Sequence, residues 1–259
     1  SQMRKVLSVL AAVALICGDV QVTWGDEPID IGSRLELFVD DYLIDGLSGD
    51  AQLRLHKPQA KEVSLVTDKP WEGNTCAYYT IFQDGDLYRM YYRGSQHTPG
   101  KSASHQIVCY AESEDGIRWT KPDLGLVEFD GSKKNNIIWD GVGHHNFVPF
   151  KDLNPDCKPE AKYKAIGGSK GEGGLFVFQS PDAIHWSLMS DKPVITKGAM
   201  DSQKLAFWDT VQGQYVAYLR GWRTHRGGEP LSLDGATGAA TRELGGLWVL
   251  WALLALSAL

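Results

Sequence analysis

Through the middle of the chain, short runs rich in apolar and aromatic residues stand between turn residues. Residues 78–83 form one such run, Asp84-Gly85 follows, and residues 87–93 form the next. That is a strand, a tight turn and a return strand, because Asp-Gly fits the left-handed backbone of a two-residue hairpin. Residues 204–209, Gln212-Gly213 and 214–220 repeat the arrangement. Residues 107–111 and 175–178 are short apolar runs of strand length. Residues 146–150 predict another strand, followed by a Pro-rich loop over 152–160 and a return strand at 163–166.

These segments fall into a repeat. Ser113, Asp115, Ile117 and Trp119 recur as Ser180, Asp182, Ile184 and Trp186, 67 residues apart at the same internal spacing. Each copy follows one of the apolar runs, so each unit reads as strand, turn, strand, strand, Ser-x-Asp turn, Trp strand. The Ser and Asp side chains suit a tight turn because their oxygens accept backbone N–H groups, and the Trp suits packing between adjacent sheets. A four-stranded antiparallel unit of about 50–70 residues has the size of a propeller blade. The chain is therefore predicted to be all-β, with about two and a half blades near 70–139, 140–199 and 200–226 within a partial propeller over 30–226.

Composition agrees with a β-rich fold: 9 Trp, 10 Tyr, 8 Phe and 28 Gly. The net charge of -6, with no cluster of Lys or Arg, argues against a nucleic-acid or anionic-lipid partner. No P-loop, dinucleotide glycine pattern, nucleophile elbow or HExxH sequence is present, and no cofactor or metal is expected. Three cysteines remain outside the first 25 residues, Cys76, Cys109 and Cys157, so at most one disulfide can form and the core must hold the fold.

The two ends differ from the middle. Met3-Arg4-Lys5 precedes a 12-residue apolar run from Val6 to Cys17, a signal-peptide pattern that predicts removal of residues 1–25 and a secreted or periplasmic product. Beyond residue 226 the pattern of strands and turns stops. Leu244 to Leu259 carry no charge over 16 residues, slightly short for a membrane span. Residues 227–259 are read either as a hydrophobic tail, which alone would bring a membrane into play, or as out-of-frame translation.

Residues 37–44, 70–74, 84–93 and 113–119 resemble a group of exported planctomycete-type proteins. That group is similar to the five-bladed β-propeller superfamily of β-fructosidases, levansucrases and arabinanases. The resemblance spans about residues 30–226 and implies a funnel lined by the innermost strands, with carbohydrate bound at one end. It also implies carboxyl groups there, since glycoside hydrolysis needs one to protonate the leaving oxygen and another to attack or to activate water. Aligned on the hairpin, Cys76 falls where the first acid belongs, and Glu72 is the nearest carboxylate. His144, His145 and Asn146 stand at the second position, and Asp201, Ser202 and Gln203 at the third. Glu72, Asp201 and one residue of the Asp40-Asp41 pair (Asp41 foremost) are thus the candidate catalytic acids. Trp71, Asn74, His145, Asn146 and Gln203 are candidate sugar-binding residues, with Tyr78 and Tyr79 as further stacking faces. Because the three-carboxylate set is incomplete, two functions stay open: a glycosidase working by acid/base hydrolysis, and a protein that binds carbohydrate without cleaving it. A sialidase-like propeller fits less well, since here Gly116 follows Asp115 directly.

Overall fold

A computed structural model describes residues 28–100, 105–198, 200, 202–220, 240–244 and 247–251. The segment predicted as a signal peptide and Asp201 lie outside the described residues. The chain divides into two compact units, residues 1–61 and 62–259.

The described part of the first unit forms turns and irregular backbone. Asp40 and Asp41 lie in a turn. The Asp40 carboxylate accepts the Tyr42 N–H at 3.0 Å, and the Asp41 carbonyl accepts the Ile44 N–H at 3.0 Å. A side chain that bonds its own backbone two residues on competes with strand pairing.

The second unit holds three four-stranded antiparallel sheets. In the first, β1 (Ala77–Asp84), β2 (Leu87–Ser95), β3 (Gln106–Ser113) and β4 (Ile137–Trp139) lie in chain order. In the second, β5 (Val148–Lys151), β6 (Tyr163–Ser169), β7 (Gly174–Ser180) and β8 (Ser187–Leu188) do the same. The third contains β9 (Leu205–Asp209), β10 (Gln214–Tyr218), β11 (Ala240–Leu244) and β12 (Leu247–Trp251), in the order β9-β10-β12-β11. The first strands of successive sheets, β1, β5 and β9, are spatial neighbours. Part of the region read as a tail or as out-of-frame translation thus pairs as two strands beside β10. Among the described residues no helix is long and apolar enough to cross a membrane.

Cores lie between and behind the sheets, and the period of two sorts their members. From β2 and β3, Tyr91, Val108 and Tyr110 pack towards the second sheet with Phe147, Phe176, Phe178 and Trp186. Met90, Tyr92, Ile107 and Cys109 alternate with them and pack on the other face with Trp71 and Trp119. From β6 and β7, Ile166, Leu175 and Val177 face the third sheet and meet Ala206, Tyr215 and Ala217. Both faces of these central strands are buried, which is why their sequences are near-continuous apolar runs. Cys76, Cys109 and Cys157 are free thiols.

The repeated turn is the same structure twice. Ser113 Oγ accepts the Gly116 N–H at 2.9 Å, and Asp115 Oδ1 accepts those of Ile117 and Arg118 at 2.8 and 2.7 Å. Ser180 Oγ accepts the Ala183 N–H at 2.8 Å, and Asp182 Oδ1 accepts those of Ile184 and His185 at 2.9 and 2.8 Å. Burial opposes ionisation of Asp182, but those donors outweigh it and hold its pKa down at about 2. Trp186 closes the second copy. It donates to the Ala183 carbonyl at 3.1 Å and meets Tyr91 and Phe147 edge-on across the sheet interface. The strand expected around Trp119 differs. Only Thr120 bridges back to Glu112, and the fourth strand of that sheet comes later, at β4.

A second repeated device was not expected. Asp84, at the end of β1, accepts the Tyr163 hydroxyl of the second sheet at 2.6 Å. Asp152, just after β5, accepts the Tyr215 hydroxyl of the third sheet at 2.6 Å. Each carboxylate also holds cations: Arg89 and Lys151 at 2.8 Å for Asp84, and Lys164 for Asp152. An acid at the end of one inner strand thus ties each sheet to the next.

Candidate functional site

The opposite ends of those inner strands, where β1, β5 and β9 begin, gather polar side chains from all three sheets. The start of β1 is irregular. Its register with β2 shifts between Ala77 and Thr80, and Tyr78 sits at φ 57°. A tyrosine in that region carries strain of about 1–3 kcal/mol, a cost that recurs at ligand sites. Its ring lies 4.7 Å beneath the Arg93 guanidinium and 5.3 Å from the His145 ring.

Arg93 comes from β2, opposite Ala77 and Val108. Gln106 opens β3. His145 belongs to a single 3-10 turn, His144–Asn146, and not to a strand as expected. Gly143 sends the chain into that turn at φ 85°, where a Cβ would lie 2.5 Å from the Phe178 ring, so only glycine fits. His145 Nδ1 is 2.9 Å from Gln106 Oε1 and 3.3 Å from an Arg93 nitrogen. Gln203, just before β9, donates to the Tyr79 carbonyl at 2.8 Å and to the Thr80 hydroxyl at 3.1 Å, joining the third sheet to the first at this end. Lys204 is buried and donates to the carbonyls of Met200, Ser202 and Gly168.

The electrostatics favour neutral imidazoles. Burial pushes the His145 pKa below its ordinary value, and Arg93 and Lys204 push it the same way. Burial also lowers that of His144, against the pull of Glu172 and Asp140. Among the described residues, no group of three or more His, Cys, Asp or Glu is placed to hold a metal ion.

The other candidates from the sequence have different places. Glu72 was expected at the mouth of a funnel and is fully buried. Its carboxylate accepts the Tyr92 hydroxyl at 2.5 Å, the Lys69 N–H at 2.8 Å and the Lys121 ammonium at 2.7 and 2.8 Å on its two oxygens. With those acceptor positions occupied it clasps a loop and presents no oxygen to a substrate. Trp71, expected as a stacking face, packs edge-on to Phe129 and donates to Asn136 at 2.7 Å. Asn74 bridges the backbone of His97 through both ends of its amide. Asn146 is fully buried and links the Met200 and Ser202 carbonyls to the Gly168 N–H. Cys76, at the aligned acid position, gives its thiol proton to the Glu72 carbonyl at 3.3 Å, and burial raises its pKa. Asp41 belongs to the first unit, and Asp201 lies outside the described residues. His145 and Tyr78 therefore meet at the strand starts, with Gln203 on the neighbouring Tyr79 carbonyl, and Arg93 and Gln106, unread in the sequence, join His145 and Tyr78. The sequence signal for Arg93 was a charge inside an aromatic-rich strand, a signal it shares with Arg89.

A cavity of about 280 Å³ lies at the far ends of β2 and β3, lined by Glu112, Glu114, Asp115 and Arg118. There Arg118 pairs with Asp115 at 2.7 Å and the Tyr110 hydroxyl donates to Glu112 at 3.0 Å, so its polar groups serve the repeated turn and the strand beside it.

No family model matches the chain, and no curated protein matches it significantly. Solved structures match in part. A glycosyl hydrolase from Bacteroides ovatus is 19% identical over 58% of this chain and 42% of its own, with a TM-score of 0.37. A fructofuranosidase from Schwanniomyces occidentalis complexed with fructosylnystose is 13% identical over 61% of this chain and 34% of its own, at 0.38. A member of a mannoside phosphorylase family that contains hydrolases of β-1,2 mannosidic linkages in Candida mannan is 19% identical over 58% and 42%, at 0.35. The chain spans between 34% and 42% of the length of these structures.

Proposed function

We propose that this protein is an exported, glycosidase-like β-propeller that binds carbohydrate where its inner strands begin. The observation that carries the proposal is the convergence of Tyr78, Arg93 and Gln106 of the first sheet with His145 from the turn before the second, beside Gln203, which precedes the third and bonds the Tyr79 carbonyl. An aromatic face beside a few fixed polar groups is the general chemistry of sugar recognition: the ring covers C–H surface, while the amides and imidazole orient hydroxyls. The alternating sheets and the sequence resemblance support a propeller of five blades as the whole architecture.

Binding is favoured over hydrolysis because the burial of Glu72 withholds the nearest carboxylate from a substrate. Hydrolysis is the second reading, and it rests on Asp201, two residues before Gln203 in the sequence, with a partner acid still to be identified. A panel of oligosaccharides titrated by calorimetry tests both. The wild type is expected to bind at least one class, and Tyr78→Ala or His145→Ala to weaken it about tenfold or more. Binding unchanged in both variants overturns the site. Release of reducing sugar that disappears in Asp201→Asn establishes the hydrolytic reading.

A further inference from the structure

Arg93 lacks what the paired arginines of this protein have. Arg89, four residues earlier on the same strand, meets Asp84 at 2.8 Å, Arg118 meets Asp115 at 2.7 Å, and Arg34 meets Glu36 at 3.0 Å. No carboxylate among the described residues lies within ion-pair distance of Arg93. Among the described residues, its buried Nε has no hydrogen-bond partner. One terminal nitrogen has His145 Nδ1 at 3.3 Å, and the other reaches the Thr75 carbonyl only at 3.5 Å. A half-buried guanidinium has given up water and gained little in return, and such a charge is expensive to keep unless an anion compensates it.

The surroundings fit an anion better than a neutral hydroxyl. The Tyr78 ring, held in its strained conformation, supports the guanidinium face at 4.7 Å and leaves the planar edge to form the paired N–H bonds that carboxylates and sulfates accept. Arginine only donates, so its contact with His145 requires an unprotonated Nδ1. With Nδ1 unprotonated the ring proton sits on Nε2, and the Gln106 amide, whose oxygen lies 2.9 Å from Nδ1, must flip to present its nitrogen there. That arrangement leaves the imidazole a second donor for a ligand.

We propose that Arg93, backed by Tyr78 and joined by His145, is an oxyanion subsite, so that the glycan bound here is acidic and carries a carboxylate or a sulfate ester. This deepens the carbohydrate-binding function and rests on it. The test is calorimetry on the full chain with four probes: an oligogalacturonide, its methyl ester as the neutral match, a sulfated oligosaccharide and inorganic sulfate. The wild type is expected to bind the acidic oligomer about 10- to 100-fold more tightly than the ester, the range of one charge-assisted hydrogen-bond pair. Arg93→Gln is expected to erase that preference, acid and ester then binding alike. Arg93→Lys, which keeps the charge and loses the fork, is expected to fall between them and guards against a folding defect in the glutamine variant. Preference for a sulfated oligomer over the galacturonide, with the same Arg93 dependence, identifies the ester as the source. Equal affinity for acid and ester overturns the subsite and leaves glycan binding standing. Sulfate binding that depends on Arg93, with no oligosaccharide bound, supports the subsite and overturns the glycan function.

Discussion

Replacing Glu72 by glutamine changes one atom and one charge at a point where neither is exposed. The carboxylate takes the Lys69 N–H at 2.8 Å, the Tyr92 hydroxyl at 2.5 Å and the Lys121 ammonium at 2.7 Å. An amide at this position turns an NH₂ group towards at least one of those donors. It also strips Lys121 of its buried counter-charge. Breaking a buried pair from one side costs about 3–5 kcal/mol. Lys121 keeps the Val66 carbonyl at 2.5 Å and Asp68 at 3.4 Å, and its side chain is 11% exposed, so the lower end applies, about 3 kcal/mol. For a unit of this size that is about 6–12 °C in melting temperature. Urea and thermal melts at pH 7 measure it, with glycan binding followed in parallel. The double variant Glu72→Met with Lys121→Met is expected to recover part of the loss, because it leaves no orphaned charge. A Glu72→Gln protein that melts like the wild type but loses glycan binding or cleavage would refute the clasp and return Glu72 to the chemistry.

Gly116→Ala places a Cβ 3.6 Å from the Tyr88 ring, an ordinary contact, so the cost is that of φ 72° alone, about 1 kcal/mol by urea melt. Ala183 already occupies the equivalent position of the second copy at φ 69°, so a complete failure to fold would contradict the equivalence of the two turns. Trp186→Ala removes the ring wedged between Tyr91 and Phe147 and is expected to cost about 3–5 kcal/mol, whereas a loss below about 1 kcal/mol would show that the interface does not depend on it. Burial opposes the ionisation of Asp84 and Asp152, but Lys151, Tyr163 and Arg89 around the first, and Lys164 and Tyr215 around the second, outweigh it and hold both below the ordinary 3.8. Their contribution is therefore complete above about pH 4 and is lost as pH falls towards the folded values. Asp84→Asn is expected to be less stable at pH 7 but to show a flatter acid limb in pH-dependent melts, and an unchanged limb would contradict the latch.

The strands were legible because both faces of β2, β3, β6 and β7 are covered, which forces apolar residues into short runs between turn residues. The Ser-x-Asp turn was legible because its bonds are local, closing within three residues of Ser113 and Ser180. What escaped depends on partners remote in sequence. Glu72 looks like an acid at an opening until Lys121, 49 residues on, is seen to neutralise it. Arg89 and Arg93 look alike on one strand, yet the hairpin gives Asp84 to the first, while among the described residues no carboxylate pairs with the second. Three residues sufficed for β4, too few to register as a period, while Trp119 drew the expected strand to itself. His145 and Gln203 sat at aligned strand starts; in the structure the first lies against Tyr78 and the second on the Tyr79 carbonyl. Asn146, the next residue after His145, is instead spent on bonds to the backbone of Met200 and Gly168 that no local pattern announces.

Amide chemical-shift mapping during titration with an acidic oligosaccharide tests the location of the site most directly. Shifts are predicted to cluster at residues 75–80, 93–95, 105–107, 143–147 and 202–205, the starts of the inner strands and the elements beside them. Shifts confined to residues 112–120, around the cavity at the opposite ends of β2 and β3, would contradict the account.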